Sequence, residues 1–405
     1  MKIMYLTDVG FDTPNSNNRL IVSMLYEFLK CGHEVYLVQS HSTGIYEDIP
    51  EVLKKYQNFT CDTIKKEVVK KTSFIKRYLS GLKYEYKAKK EWEKKIESVD
   101  IILLQSHYTA WYAAWLLRKS KAKLVFNIYD IFPGEAYTNG NIKSKFIYNC
   151  LAFLQKYLYK KCDFFFVIAK DMKKTLEGLG VKSSKIAVIP VWFDKENICE
   201  VSRENNKFAE KYKLDKRKKY IQYAGSIGVA YDFNFLIDVA EKMQYRKDMI
   251  FQIIGEGIKL ESAKKRAEEL KLENIMFLPW QPLEILSDVY SFCTLQIVPL
   301  MKDVIRNSYP SKILPLMACS RIPVISVEKD SFFYKDINNF KIGLTSPIND
   351  VDEMIKNILY LVDNEEILKK YQKNAYIYVY RNYTSEVNAQ KMLAQFIRLK
   401  KEEVV

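Results

Sequence analysis

The sequence predicts an α/β protein of two doubly wound domains facing a central cleft, and three observations lead there. Short apolar runs that read as buried strands alternate with amphipathic stretches that read as helices. Near the middle the pattern breaks in a polar, lysine-rich segment, and beyond it the same alternation restarts. Strands alternating with helices specify parallel sheets, because each parallel strand needs a crossover and a helix usually supplies it. A length of 405 residues, 48% hydrophobic and 28% charged, suits two or three globular domains.

In chain order, "KIMYLTDVG" is an apolar strand that breaks at Gly10. Leu20, Ile21, Met24, Leu25, Phe28 and Leu29 recur at helical spacing up to Gly32, and "EVYLV" follows as a second strand. "VDIILLQ", "AKLVFNIYD" and "CDFFFVIAK" read as three more. After "AVIPVWFD" the chain turns polar up to Lys219, as a linker with an edge helix. Then "KYIQYAGSIG", "MIFQIIGEG", "NIMFLPW", "CTLQIVPL" and "IPVISV" form the second set of strands, and from Asp350 onward the chain is mostly helical. The expected domains are 1–192, completed by a C-terminal helix at about 384–405, and 193–383. Ligands should collect at the carboxyl ends of the strands of each open sheet.

Composition excludes several function classes. Seven cysteines are scattered with no C-x-x-C pair, and three histidines form no H-E-x-x-H, so reduced core thiols and no metal site are expected. The start "MKIMYLTDVG" has no apolar signal core, and no window approaches the ~18 apolar residues of a membrane span; a cytoplasmic protein is expected. The net charge is +15. Between Glu51 and Val99, 14 lysines and arginines face 7 acids, interleaved with Phe74, Ile75, Tyr78, Leu79, Leu82, Tyr84, Tyr86 and Trp92. A solvated helical face and an anionic-membrane surface both fit that pattern. Nucleic acid is not an expected partner, since no zinc-finger, RNA-recognition or helix-turn-helix signature is present.

Three loops of the second half carry candidate chemistry. "AGSIG" supplies Gly225, Ser226 and Gly228, and "IIGEG" supplies Gly255, Glu256 and Gly257. Glycines at strand ends either let the backbone approach a ligand or serve turn geometry alone. The third loop is "RNSYPSKILPLMACSRIPVIS", residues 306–326. A cap by Ser308 or Ser311 places Pro315 in the first helical turn, where a missing N–H costs little. A helix mouth flanked by Lys312 and Arg306 suits a diphosphate; the alternative is a surface lysine on a capped helix.

"YAGSIG", "IIGEGIKLESAKKRAEEL", "NIMFLPWQPLEILSDVYSFCTLQIVPL" and "SYPSKILPLMACSRIPVI" occur in that order. Together they resemble the C-terminal domain of family 4 glycosyltransferases, whose GT-B fold pairs two Rossmann-like domains. The L-P-aromatic-Q-P and P-S-K elements look most like the branch that builds bacterial capsule and O-antigen polysaccharides. In the first half, "GHEV" and "NIYDIFPGEA" are similar to that branch as well.

The resemblance implies a retaining hexosyl- or aminosugar-transferase that needs no cofactor and no metal. The donor, a nucleotide sugar, would bind the C-terminal domain, with Lys312, Pro310, Ser311 and Arg306 at the leaving diphosphate and Trp280 and Gln281 near the base. Trp280 could equally be a packing residue. The acceptor would be a growing polyprenyl-diphosphate-linked glycan on the N-terminal domain, and the enzyme would sit peripherally at the inner face of the cell membrane. There Asp130 would orient the acceptor hydroxyl, or else cap a turn. Glu135 and His107 are the other candidates, His107 alternatively being structural.

Some positions depart from the family pattern. The E-x7-E positions hold Asn307 and Pro315, the usual arginine and lysine of the first glycine loop are replaced by Ser226 and Tyr231, and the twin-glycine loop falls on Asn15 and Ser16. A non-transferring protein of this fold, either a nucleotide-sugar 2-epimerase or a catalytically silent binding subunit, is the rival expectation.

Overall fold

The computed structural model describes residues 1–12, 16–42, 49–67, 69, 74–93 and 95–402. The chain divides into two compact units. One comprises residues 1–191, 307–309 and 385–405, the other residues 192–306 and 310–384.

The first unit holds a sheet of seven strands: β1 (Lys2–Leu6), β2 (Glu34–His41), β3 (Phe59–Lys65), β4 (Ile101–Gln105), β5 (Lys123–Ile128), β6 (Phe164–Val167) and β7 (Ile186–Val188). All pairs are parallel, in the order β3-β2-β1-β4-β5-β6-β7. The central strands read as unbroken apolar runs because helices cover both faces; Ile3, Met4, Tyr5 and all of Ile101–Leu104 are buried. The C-terminal helix Ser385–Lys401 packs against helix Ser16–Lys30, where the Phe396 ring meets Phe28 at 5.9 Å and Phe166 at 5.6 Å.

The second unit repeats the architecture with six parallel strands: β8 (Lys219–Ala224), β9 (Met249–Ile254), β10 (Ile275–Leu278), β11 (Leu295–Pro299), β12 (Pro323–Ser326) and β13 (Leu344–Ser346). Their order is β10-β9-β8-β11-β12-β13. The α/β class and the two parallel sheets are as expected, and every anticipated strand is present.

β3, β7 and β13 lie outside the anticipated set. β3 pairs only with β2, so one edge stays open and its sequence "FTCDTIK" buries only Ile64. The basic stretch 51–99 is therefore part strand and not one helical face. Strand order reverses between β1 and β4 in the first sheet and between β8 and β11 in the second, which places a ligand crevice at the carboxyl ends of each pair. Among the described residues no helix is long and apolar enough to cross a membrane.

Candidate functional site

In the second unit the loops leaving β8 and β9 interlock through their backbones. Gly225 N–H donates to the Ile254 carbonyl at 2.8 Å, and Ile227 N–H donates to that of Glu256 at 2.8 Å. A Cβ on Gly255 would stand 1.9 Å from the Gly225 oxygen, and one on Gly257 would stand 2.2 Å from the Ile227 oxygen. These two glycines serve loop-to-loop packing. Gly225 differs, because a Cβ there would stand 1.9 Å from Lys312 Nζ. The missing side chain of Gly225 is the space that the ammonium occupies.

That ammonium is the unusual group of this unit. Lys312 Nζ is buried and has no hydrogen-bond partner, lying 5.4 Å from the Tyr223 ring and 5.2 Å from that of Tyr231. Burial pushes its pKa down to about 8. A buried cation without a counter-charge is costly unless an anion completes it, and two ring faces supply only part of the compensation. Tyr231 stands where the resemblance expects a cation, and Lys312 brings one to that place from a different loop.

The helix that follows runs from Ile313 to Ala318, one position later than a Ser311 cap would set it and four later than a Ser308 cap would. Lys312 itself holds the cap position, and no side chain caps the helix. Pro315 falls in its first turn, as anticipated. The six-residue helix offers little dipole, so the charge of the site comes from the Lys312 side chain.

The other sequence-derived candidates divide by exposure and partners. Arg306 forms ion pairs with Asp303 at 3.1 Å and Asp330 at 3.2 Å, which commits its charge on the protein. Gln281 is buried, donating to Tyr212 Oη at 2.8 Å and accepting from Lys211 Nζ at 3.2 Å. Trp280 is 53% exposed, and Ser226, Glu256 and Ser311 are exposed while Pro310 is buried. Around a Cβ at Gly228 only Ser226 Oγ comes within 4 Å, at 3.6 Å. Sequence reasoning missed Tyr223 as a wall of the Lys312 site. It also missed Glu328, just beyond β12, which accepts from Asp303 N–H through Oε1 while its buried Oε2 has no partner.

The interlock gives a stability prediction. Gly255→Ala forces a methyl against a backbone oxygen that cannot swing aside, at φ +143°. A loss of roughly 1–3 kcal/mol in chemical denaturation is expected. A variant as stable as the parent would contradict the loop packing described.

In the first unit, Asp130 follows β5 and Glu135 opens the next short helix, Gly134–Thr138. Loss of hydration, then repulsion by Glu135, raises the Asp130 carboxyl above the usual carboxylate range. Asp130 keeps a solvent-exposed side chain, so water screens part of that effect and the direction is the useful result. Glu135 is raised by burial, with the Asn139 amide and the Arg77 guanidinium acting against the shift. Arg77 lies 5.3 Å over the Tyr108 ring. Both residues also line a cavity of about 320 Å³ with Asp8, Asp12, Ser42 and Lys66, at the carboxyl ends of β1, β2 and β3.

His107 has both ring nitrogens engaged. Nδ1–H donates to the Gln105 carbonyl at 2.7 Å and Nε2–H to the buried Glu85 carboxylate. Burial opposes its charged form, but Glu85 and Asp8 outweigh it and push the pKa up to about 9. Asp8 in turn is paired with Lys66 at 2.7 Å. An imidazolium with both N–H groups donated accepts no proton at neutral pH, so this geometry gives His107 a structural part. Asn15 lies outside the described residues; Ser16 begins helix Ser16–Lys30.

Comparisons with known proteins bear on the family and the fold. The family model described as "Glycosyl transferases group 1" matches residues 204–378, and "Glycosyltransferase Family 4" matches residues 18–197. The putative colanic acid biosynthesis glycosyl transferase WcaI of Escherichia coli K12 is 25% identical over 158 residues, a match spanning 39% of this chain and only 38% of that protein. An uncharacterized glycosyltransferase of Methanocaldococcus jannaschii is 24% identical over 70% of each chain. Among solved structures, sucrose-phosphate synthase from Thermosynechococcus elongatus aligns over 98% of both chains with a TM-score of 0.74 at 13% identity. Anabaena HepE, solved with UDP and glucose, aligns over 98% of this chain and all of its own with a TM-score of 0.74 at 11% identity.

Proposed function

Because the chain belongs to the family 4 glycosyltransferases of the GT-B fold, we propose that it transfers a hexosyl or aminosugar residue from a nucleotide-diphosphate sugar, with retention of configuration. The acceptor in this reading is a hydroxyl of a growing, polyprenyl-diphosphate-linked bacterial surface glycan at the inner face of the cell membrane. The similarity to a protein named for colanic acid biosynthesis supports the polysaccharide acceptor. Neighbours solved with UDP and UDP-glucose support the donor class.

The observation that carries the proposal is the unpartnered, buried ammonium of Lys312 beside Gly225. As the anomeric C–O bond to the diphosphate breaks, negative charge grows on the leaving oxygen. A cation already desolvated and fixed stabilises that charge more than it stabilises the neutralised ground state. The acceptor oxygen forms the new bond to the anomeric carbon. Its proton leaves toward the departing phosphate or toward Asp130, the hydroxyl approaching from the face that the diphosphate leaves, as retention requires.

The experiment is a panel of nucleotide sugars screened by thermal shift, then assayed with and without a glycan acceptor. Release of nucleoside diphosphate that rises with acceptor supports transfer. Free epimer identifies an epimerase, and binding without turnover identifies a silent subunit. Among the described residues no three His, Cys, Asp or Glu side chains gather as a metal site. With Lys312 as the phosphate's cation, full activity in EDTA is expected, and strict dependence on added magnesium or manganese would overturn the assignment.

A further inference from the structure

The helix Lys145–Lys161 is capped by Ser144, whose Oγ accepts from Ile147 N–H, and is anchored by Leu151, Gln155 and Leu158 at i, i+4 and i+7. Leu151 joins Phe132, Ala136 and Ile142 in a buried cluster. Its opposite side carries Phe146, Cys150, Phe153 and Tyr157 at i, i+4, i+7 and i+11, the spacing of a second apolar stripe. Phe146 is 77% exposed and Phe153 74%. Two phenyl side chains left in water on one helical face are uncommon without something to cover them.

The charge around the stripe says what covers it. From Ala136 to Cys162 there is no Asp or Glu, while Lys143, Lys145, Lys156, Lys160 and Lys161 are all exposed. Elsewhere in the chain helical lysines are matched with carboxylates four residues away, as in Lys89–Glu93, Lys265–Glu269 and Lys369–Glu365. Here such pairing is impossible. A second copy docking through the same face would set lysines against lysines, because a two-fold contact is self-complementary. An apolar stripe between unpaired lysines fits a bilayer interface, with the rings in the acyl boundary and the ammonium groups reaching anionic headgroups. The helix Phe74–Trp92 has exposed Ile75, Leu79 and Tyr86 with Lys76, Lys87 and Lys90, and both helices pack against Ala110–Leu116.

We propose that the Lys145–Lys161 helix is the membrane-inserting element of this protein, placing Phe146, Cys150, Phe153 and Tyr157 in the interface of an anionic bilayer. It goes beyond the basic and aromatic stretch 51–99 to a different helix of the first unit. It rests on the transferase reading only for the reason a membrane is visited.

Co-sedimentation uses vesicles of phosphatidylglycerol with phosphatidylethanolamine, against phosphatidylcholine alone, without donor or acceptor, so that an inactive enzyme still gives an answer. The parent should bind the anionic vesicles. Phe146→Ser with Phe153→Ser should lower partitioning at least about tenfold, since both rings leave the interface. Lys156→Gln, Lys160→Gln and Lys161→Gln should each lower it about fivefold at low salt. With the other exposed thiols removed as Cys31→Ser and Cys199→Ser, a polarity-sensitive fluorophore on Cys150 should shift to the blue on binding. Unchanged partitioning of the double serine variant, or an unmoved Cys150 spectrum, overturns the proposal. So does a dimer in analytical ultracentrifugation that Phe146→Ser dissociates, which would assign the stripe to a second copy.

Discussion

Lys312→Ala is expected to remove roughly 2–4 kcal/mol of transition-state stabilisation, a fall of about 30-fold to 1,000-fold in kcat/KM for the nucleotide sugar. The same substitution should leave the ligand-free protein at least as stable as the parent. The ammonium is buried with no acceptor in reach, so in the empty site it is a burden on the fold. A structural lysine would show the reverse pattern, losing stability and activity together. The pH dependence follows from the same cause. Burial holds the folded pKa near 8, below that of an unfolded lysine. Between those values the unfolded chain binds more protons, so stability of the empty protein rises with pH across that range. Donor affinity runs the other way. A diphosphate needs the protonated form, so Kd should be flat below about pH 8 and weaken by about tenfold per unit above it. Isothermal titration at several pH values measures that slope. Lys312→Ala with near-normal turnover, or a donor Kd insensitive to pH up to 10, would end the assignment.

What could be read in advance follows the range of the interactions concerned. The central strands β1, β4, β8, β9 and β11 announce themselves because both faces are buried and most of their residues are apolar, the buried Gln105, Gln222, Gln252 and Gln296 being exceptions. β3 does not, since an edge strand with one partner tolerates Thr60, Asp62 and Thr63 among its residues. β13 is three residues long and gives no period to detect. Lys312 was legible as a special residue through its P-S-K setting, yet the reason it matters was not. Its partners are Gly225, Tyr223 and Tyr231, some 80 residues upstream in "KYIQYAGSIGVAY", and nothing local says that they converge on one amine. Shorter separations of 24 and 22 residues equally hid Asp330 as a partner of Arg306 and Glu85 as the partner that makes His107 a cation, whereas Asp303 lies only three residues before Arg306. Gly255 and Gly257 were legible as glycines with a purpose, but the purpose is a neighbouring loop.

Asp130→Asn is the complementary experiment on the first unit. The substitution keeps the shape of the side chain and removes its capacity to take a proton or hold a charge-assisted hydrogen bond to a hydroxyl. Transfer should fall about 10²-fold or more, the usual range for a general base. Donor Kd should be unchanged, because the donor in this reading belongs to the second unit. Loss of hydration and the Glu135 charge hold Asp130 above the ordinary carboxylate range, so the acid limb of kcat/KM for acceptor should lie above that range too. Activity is lost as pH falls through that limb. Glu135→Gln supplies the internal control. Removing the neighbouring charge lowers the Asp130 pKa, so the limb should move to lower pH while the maximal rate is largely kept. A turn-capping aspartate would behave differently, since asparagine caps turns nearly as well and would keep both rate and profile. Wild-type transfer by Asp130→Asn would therefore assign it to the turn. Loss of donor binding together with transfer would place it outside the acceptor side altogether.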